Sequence, residues 1–194
     1  MKTALCFLLI SALAAAPAKT FFSHEQALKS NFGTKTATSK HTHYWTKEQR
    51  ARVAKLVGSS KPTDVRSHRT AYTANVAKGT KANTDSAWFD KRIVRTKAQE
   101  IMLVVSAKGV IKDLVVCVFD EPIKYKPSAK WYAQYKGLQL DDSLQLKKDI
   151  HGVSGATLTA RSTTLAVREL LAAAQVAREV AAAKKEKVEP PQER

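Results

Sequence analysis

Small and hydroxyl-bearing residues cluster in residues 149–159 (DIHGVSGATLT), directly before a long alanine-rich stretch. If that stretch opens a helix, unpaired backbone N–H groups and the positive end of the helix dipole meet at its start and attract an anion such as a phosphate. Gly155 and Ala156 have no bulky side chain, so an anion can approach the backbone closely, and Ser154, Thr157 and Thr159 add hydroxyl groups. An ordinary helix N-cap after a flexible lead-in gives the same composition, and composition alone favours that simpler interpretation.

Other reactive side chains are sparse. His41 and His43 lie on a predicted loop without a cysteine or carboxylate nearby in sequence, so a surface pair is favoured over a metal site, and no metal is expected. His151 is either a proton donor or, more safely, a plain loop histidine. Cys117 lies in an apolar run and is expected to be a small buried residue. Cys6 belongs to the leader, so the mature chain has no disulfide, and no Cys-x-x-Cys-His haem motif occurs.

The N-terminus predicts export. Met1 and Lys2 are followed by an apolar run of about ten residues, 4–13, and then by small residues that fit a cleavage site. The run is shorter than the roughly 18–20 residues needed to cross a bilayer. We therefore expect residues 1–18 to be a cleaved signal peptide, the mature chain to have no transmembrane segment, and the protein to be periplasmic or otherwise exported.

The remaining pattern predicts an α+β fold. Ser23 and Thr46 each begin a capping box, which predicts helices ending at Gly33 and Gly58, while residues 34–43 are expected to form a loop. Residues 66–120 predict an antiparallel sheet of about four strands packed with helices, with a hairpin turn at 107–109. A short capped helix is predicted over 128–135 and a long helix over about 160–184. The expected divisions are an N-terminal helical and loop segment (19–65), a main domain (66–183) and a disordered charged tail (184–194).

The net charge is strongly positive. The chain has 33 Lys and Arg against 17 Asp and Glu, which gives +16 and favours acidic partners. These cations are spread from residue 29 to residue 187 rather than gathered in one stripe, so a solvated basic surface is favoured over a nucleic-acid interface. A non-catalytic basic binding module for an anionic polymer or membrane remains one of the alternatives.

Residues 149–159 resemble the D-x(n)-[ST]-G-A-T signature of FMN-binding domains. These domains occur in the C subunit of the sodium-translocating NADH:quinone oxidoreductase, in the G subunit of the Rnf complex and in small secreted FMN-binding proteins. Residues 120–125 (DEPIKY) and 131–137 (WYAQYKG) are similar to the D-E-P-x-x-Y and W-x-x-Q-[FY]-x-G segments of a soluble branch. The likeness spans about residues 86–175. One departure is Ala160, where many members have Ser or Thr; this weakens a helix cap more than the attachment site.

The resemblance implies an FMN site at the N-terminus of the long helix, with FMN joined to Thr157 through a phosphoester bond. A flavin transferase that uses FAD and magnesium would install it, which suits a threonine hydroxyl because that group is a poor nucleophile unaided. Asp149 matches the acidic position that the transferase reads, with a solvated loop carboxylate as the alternative. The residues implied to surround the phosphate and ribityl chain are Ser154, Gly155, Ala156, Leu158 and Thr159.

Three further residues are candidates for contact with the flavin ring. Tyr125 and Trp131 are placed to stack on it, although a tryptophan on a short helix is often simply part of the core. Glu121 is expected either to hydrogen-bond the ring edge or to stabilise a turn.

The function implied is that of an exported electron carrier, which passes electrons from a membrane donor to an acceptor such as a cytochrome. The alternatives are a flavin-dependent reductase with its own substrate and the basic binding module. The sequence contains no second acid and base cluster, so an electron carrier is favoured over a stand-alone enzyme, and no catalytic residue is assigned.

Overall fold

One antiparallel sheet organises the chain. The computed structural model describes residues 19–34, 37–59, 65–74 and 85–188. The strands are β1 (Lys19–Thr20), β2 (Thr38–Tyr44), β3 (His68–Ala74), β4 (Ser86–Ile93), β5 (Ala98–Val105) and β6 (Ile111–Phe119). Their order across the sheet is β1-β6-β5-β4-β3-β2. Because β1 contributes only two residues, the described part of the chain has five strands of full length. The predicted α+β fold is confirmed, and the expectation of about four strands was close.

The sheet is covered on both faces. The helices are α1 (His24–Phe32), α2 (Lys47–Val57), α3 (Ala129–Tyr132) and α4 (Thr157–Val188). Successive residues of a strand point to opposite faces. In β5, Ile101, Leu103 and Val105 accordingly join the large core beneath α2, α3 and α4, while Met102 and Val104 join a smaller core beneath α1. A strand buried on both faces in this way forms the centre of the fold.

Local sequence signals set several element boundaries. Both predicted capping boxes are present, at Ser23 for α1 and at Thr46 for α2. Gly33 and Gly58 follow these helices with positive φ angles of 95° and 75°. The predicted hairpin joins β5 and β6, where Gly109 has φ 83°. Cys117 is buried in the smaller core, as expected.

The loop expected over residues 34–43 was wrong for its second half, which belongs to β2. This strand pairs with β3 along its whole length, from Thr38 opposite Ala74 to Tyr44 opposite His68. Its Thr, Ser, Lys and His side chains are those of an edge strand with little burial, and such strands are polar. Polar composition was therefore mistaken for a loop. Because β1 pairs with β6 and β2 with β3, both strands of the N-terminal segment share a sheet with the main domain.

The predicted end of the long helix also differs from the structure. We expected a disordered tail from residue 184, but α4 continues to Val188. Residues 181–188 are Ala, Lys, Glu and Val without glycine or proline, and Ala, Lys and Glu favour helix; prolines come only at 190 and 191. The rest of the tail and the predicted signal peptide lie outside the described residues.

An ionic cluster fastens α4 to the sheet. Asp90 of β4 accepts hydrogen bonds from Arg69 of β3 and from Arg92. The same two arginines donate to Glu169 Oε2 of α4, over 2.9 Å and 3.0 Å. Asp90 and Arg69 are buried. The cluster links α4 to β3 and β4, on which the apolar side of the helix also packs.

Candidate functional site

Thr157 is the first residue of α4 and carries an exposed side chain. The ladder of the helix begins when the N–H of Ala160 donates to the carbonyl of Ala156 over 2.9 Å. The amides of Thr157, Leu158 and Thr159 precede that bond and are the donors that a helix start leaves available. The first turn contains no acidic residue that would repel an anion. The helix expected from about residue 160 therefore begins three residues earlier, at Thr157, and the binding of an anion at its start stays a prediction.

The turn before α4 depends on Gly155. Its φ is 77°, in the left-handed region, and the N–H of Ala156 closes the turn by donating to the carbonyl of Val153 over 3.3 Å. The Thr157 hydroxyl donates to the same carbonyl over 3.3 Å. An added Cβ at Gly155 would meet no atom within 4 Å, so backbone conformation rather than space requires the glycine. Sequence reasoning had credited Gly155 with close approach by an anion.

The other motif residues divide between surface and core. Ser154 and Leu158 are exposed. Ala156 and Thr159 are buried, and Thr159 Oγ1 has no hydrogen-bond partner within the described part of the chain. A phosphate at the helix start would contact the exposed Ser154 and Leu158 directly, whereas the hydroxyl of Thr159 lies beneath the surface.

A pocket of about 690 Å³ opens beside Thr157, between α4 and the loop that precedes it. This volume is in the range of small-molecule sites. Three of its lining side chains are cationic and none is acidic. The lining residues are Gln145, Leu146, Lys147, Gly152, Val153, Ser154, Thr157, Ala160, Arg161, Thr164, Leu165 and Arg168. The arrangement can hold a ligand that has both an apolar body and negative charge.

Two backbone features shape the loop wall of this pocket. Lys147 has φ 68°, and in the described ranges no other residue except glycine has a positive φ. Its N–H donates to the carbonyl of Ile150 over 2.9 Å, which closes a tight turn. Such conformations cost energy and are concentrated at ligand sites. The turn presents Lys147 on the wall opposite α4.

Arg168 is a pocket residue that sequence reasoning missed. It is buried, and its Nη1 donates to the carbonyl oxygens of Asp141 and Leu144 over 2.7 Å and 3.1 Å. One signal was available: an arginine with Val167 before it and Leu170 and Leu171 after it stands among the apolar positions of a helix. A charged residue in such a place requires a polar partner.

Trp131 and Gln134 hold the upstream end of the motif. The indole Nε1 of Trp131 donates to the carbonyl of His151 over 2.7 Å, and the N–H of His151 donates to Gln134 Oε1 over 2.9 Å. Trp131 is buried and packs edge-on against Tyr132 and Tyr135. Of the two roles considered for this tryptophan, the structure shows a core residue that also fixes the motif loop, and His151 itself is exposed.

Glu121 and Tyr125 lie outside the pocket lining. Glu121 Oε1 accepts hydrogen bonds from the N–H groups of Arg95, Thr96 and Lys97, in the turn between β4 and β5. Burial alone would raise the pKa of this carboxyl, but the three N–H groups hold it below its usual value. Glu121 therefore has the turn-stabilising role that was one of its two expected roles. Tyr125 packs its ring against the cationic groups of Arg95 and Lys124.

Asp149 is an exposed loop carboxylate that accepts a hydrogen bond from the Ser143 hydroxyl. It does not line the pocket. Its position is that of a solvated loop carboxylate, which was one of the two interpretations considered. A role in recognition by a transferase stays a prediction.

The histidine pair lies on β2 rather than on a loop. His43 stacks between Trp45 and Trp88, and its pKa is lowered by burial and, to a smaller extent, by His41 and Lys184. His41 bonds the hydroxyl of Thr73 over 3.2 Å. Across the described ranges, His, Cys, Asp and Glu form no group that could hold a metal ion.

Two further findings concern membrane spans and similarity to known proteins. In the portions covered by the structure, no helix is both long and apolar enough to cross a membrane. No protein-family model, curated protein or solved structure matches the chain.

Proposed function

We propose that this chain is an exported electron-transfer flavoprotein in which FMN is esterified to Thr157. The observation that carries the proposal is the position of Thr157, exposed at the start of α4 and on the edge of a pocket with three cations and no carboxylate. The resemblance of residues 149–159 to FMN-binding domains supplies the identity of the ligand. Together they support an anionic cofactor bound through this threonine.

The residues present fit FMN in charge and polarity. The first-turn amides and Arg161 supply donors and positive charge for a phosphate diester, and Ser154 adds a hydroxyl. Leu146, Val153 and Leu165 supply apolar surface for the ring. Bound there, FMN supplies reversible two-electron chemistry. The protein contributes attachment, orientation and a positive setting, while Trp131 and Gln134 keep the motif loop in place.

The test is the intact mass of protein exported in a host that has a flavin transferase. We expect the mass of the chain plus one FMN less one water, and a yellow colour that survives denaturation. Thr157→Ala should remove both. Thr42→Ala, the same change at an exposed threonine on β2, should retain both. Thr157→Ser, which keeps a hydroxyl, asks whether the transferase accepts the smaller residue.

A colourless wild-type protein at the mass of the unmodified chain, under those conditions, would overturn the proposal. Flavin retained in Thr157→Ala would place the attachment elsewhere. Protein made without export or without the transferase does not bear on the question, because the ester depends on that enzyme.

A further inference from the structure

Arg168 is a buried cation without a carboxylate partner. Its residue exposure is 7%, and among the described residues no Asp or Glu oxygen lies within 4.0 Å of its guanidinium. Only Nη1 donates to described protein acceptors, namely two backbone carbonyl oxygens. The side chain lines the pocket. Nε and Nη2 of a buried guanidinium that belongs to a pocket-lining residue are therefore without a described protein acceptor.

Among the described residues one other arginine, Arg69, is buried, and the contrast between the two is informative. Arg69 is similarly buried, but it shares two carboxylates, Asp90 and Glu169. Burying a charge is costly unless the charge is paired, so an arginine that only backbone carbonyls compensate is expected to meet an anion in the functional state. The nearby carboxylate of Asp141 is turned to its own loop, where it accepts from the Ser143 hydroxyl and from the N–H groups of Ser143 and Leu144.

We propose that the Arg168 guanidinium holds the pyrimidine edge of the FMN ring, at N1 and the C2 oxygen, and stabilises the negative charge that reduction places there. This inference rests on the proposed attachment of FMN to Thr157. A planar guanidinium suits a planar edge that offers two acceptors, and bonds from a charged donor are stronger than neutral ones.

The distance along α4 between Thr157 and Arg168 indicates that Arg168 contacts a part of the ligand other than the phosphate. Thr157, Arg161, Leu165 and Arg168 recur at intervals that keep them on one side of a helix, and all four line the pocket. A rise of 1.5 Å per residue puts the Cα atoms of Thr157 and Arg168 about 16 Å apart along the axis. The phosphate is fixed at Thr157, so Arg168 faces a different part of the ligand. The ring edge is the part of FMN that becomes negative on reduction.

The redox step balances with one proton. Two electrons from the membrane donor and one proton from solvent convert the oxidised ring to its anionic reduced form, with the new N–H bond at N5 and the charge shared by N1 and the C2 oxygen. The charged groups that line the pocket are Arg161 and Arg168 on α4 and Lys147 on the loop. All three favour the anionic form, and Arg168 alone of them is buried.

The experiment compares midpoint potentials of the FMN-loaded wild type, Arg168→Gln and Arg52→Gln. The control removes one positive charge at an exposed site on α2. Arg168→Gln should keep the attached mass and the colour but weaken stabilisation of the reduced form about tenfold, which is about 30 mV more negative for a two-electron couple. Arg52→Gln should match the wild type.

The second readout is the pH dependence of the midpoint potential. If N1 stays unprotonated in the reduced form, the wild-type potential should change by about 30 mV per pH unit, one proton per two electrons, from pH 8 down to pH 5. In Arg168→Gln the slope should double in the acidic part of this range, because N1 then takes up a proton. A two-proton slope in the wild type overturns the inference even if Arg168→Gln fails to fold, and Arg168→Lys, which loses the planar pair of donors, is then the variant to compare.

Equal potentials and equal slopes in wild type and Arg168→Gln would overturn the inference, as would a two-proton slope in the wild type throughout the range. An unchanged potential with weaker binding of an anionic substrate would assign Arg168 to that substrate instead. In each of these cases FMN remains attached at Thr157. A colourless wild type is the separate result that removes the proposed function.

Discussion

At the scale of single residues, the structure gives a physical reason for the W-x-x-Q segment of the sequence resemblance. Trp131 lies on α3, and Gln134 lies in the turn that follows it. Trp131 and Gln134 are three positions apart, and both bond the backbone of His151, one at its carbonyl and one at its N–H. The W-x-x-Q spacing therefore fixes both polar groups of one peptide position just before the Ser154–Thr157 segment. Its contribution to the site is to hold the loop from which Thr157 emerges.

Gly155 gives a prediction at this scale. Gly155→Ala should lower the free energy of unfolding by about 1–2 kcal/mol, because an L-residue with a side chain is strained at φ 77°. For a chain of this size, that is about 2–4 °C of Tm per kcal/mol. Thermal unfolding followed by circular dichroism measures the change.

Gly152→Ala is the matched control for that experiment. Gly152 lies three residues earlier, is not among the positive-φ glycines and has nothing within 4 Å of an added Cβ. It should leave Tm unchanged or slightly raised. Equal Tm values for the two variants would contradict a conformational requirement at position 155.

At the scale of elements, α4 contributes to the large core, to the ionic cluster and to the pocket. Its apolar side packs on the sheet, Glu169 meets the ionic cluster of β3 and β4, and Arg161 and Arg168 line the pocket. Glu169 and Arg168 are neighbours in sequence that serve different surroundings, since consecutive helix residues point in different directions. A rotation of α4 would disturb the ionic cluster and the pocket together.

Replacing Glu169 tests how much the ionic cluster contributes to stability. Glu169→Gln leaves the guanidinium groups of Arg69 and Arg92 with Asp90 as their shared carboxylate, so we expect a loss of about 2–3 kcal/mol in the free energy of unfolding. Urea denaturation measures it. Glu179→Gln is the control on the same helix, because Glu179 pairs with Arg52 at the surface, where both side chains are more than 40% exposed. It should cost little. A similar loss in both variants would argue against a special role for the buried cluster.

At the scale of the whole molecule, positive charge dominates. The net charge of +16 repels itself within the folded state, and the repulsion grows as carboxylates become protonated in acid. The few buried carboxylates therefore have a large share in stability at low pH. Burial alone would raise the pKa of Asp90, but hydrogen bonds and attraction from Arg92 and Arg69 outweigh that effect and lower it.

The lowered pKa of Asp90 predicts an acid-sensitive stability. A carboxyl whose pKa is lower in the folded state stabilises the fold above its unfolded value of about 3.9, and this contribution is lost as pH falls through the folded value. The free energy of unfolding of the wild type should therefore fall below about pH 4. Asp90→Asn should be less stable at pH 7, by about 3–5 kcal/mol, and should lose less between pH 5 and pH 2. Urea titrations across that range measure both, and parallel curves would contradict the prediction.

The sequence by itself determined most elements, including a helix that starts close to Thr157. Capping boxes, a glycine turn and alternating apolar residues act over a few neighbouring positions, so they can be recognised without tertiary structure. The first residue of α4 was not determined in this way, since the helix was expected from about residue 160 and begins at Thr157. These local patterns did not predict β2, because an edge strand has few buried side chains and its composition resembles that of a loop.

Only the tertiary structure decided what surrounds Thr157. Lys147 and Arg168 reach the same pocket from a loop and from the third turn of α4 beyond Thr157, and no local pattern specifies that meeting. Glu121 was separated from the pocket by its bonds to a turn about 25 residues earlier, and Trp131 was taken into the core. Contacts of this kind depend on how α4 packs on the sheet, through its apolar side and through ion pairs such as that between Arg69 and Glu169, which lie 100 positions apart in sequence.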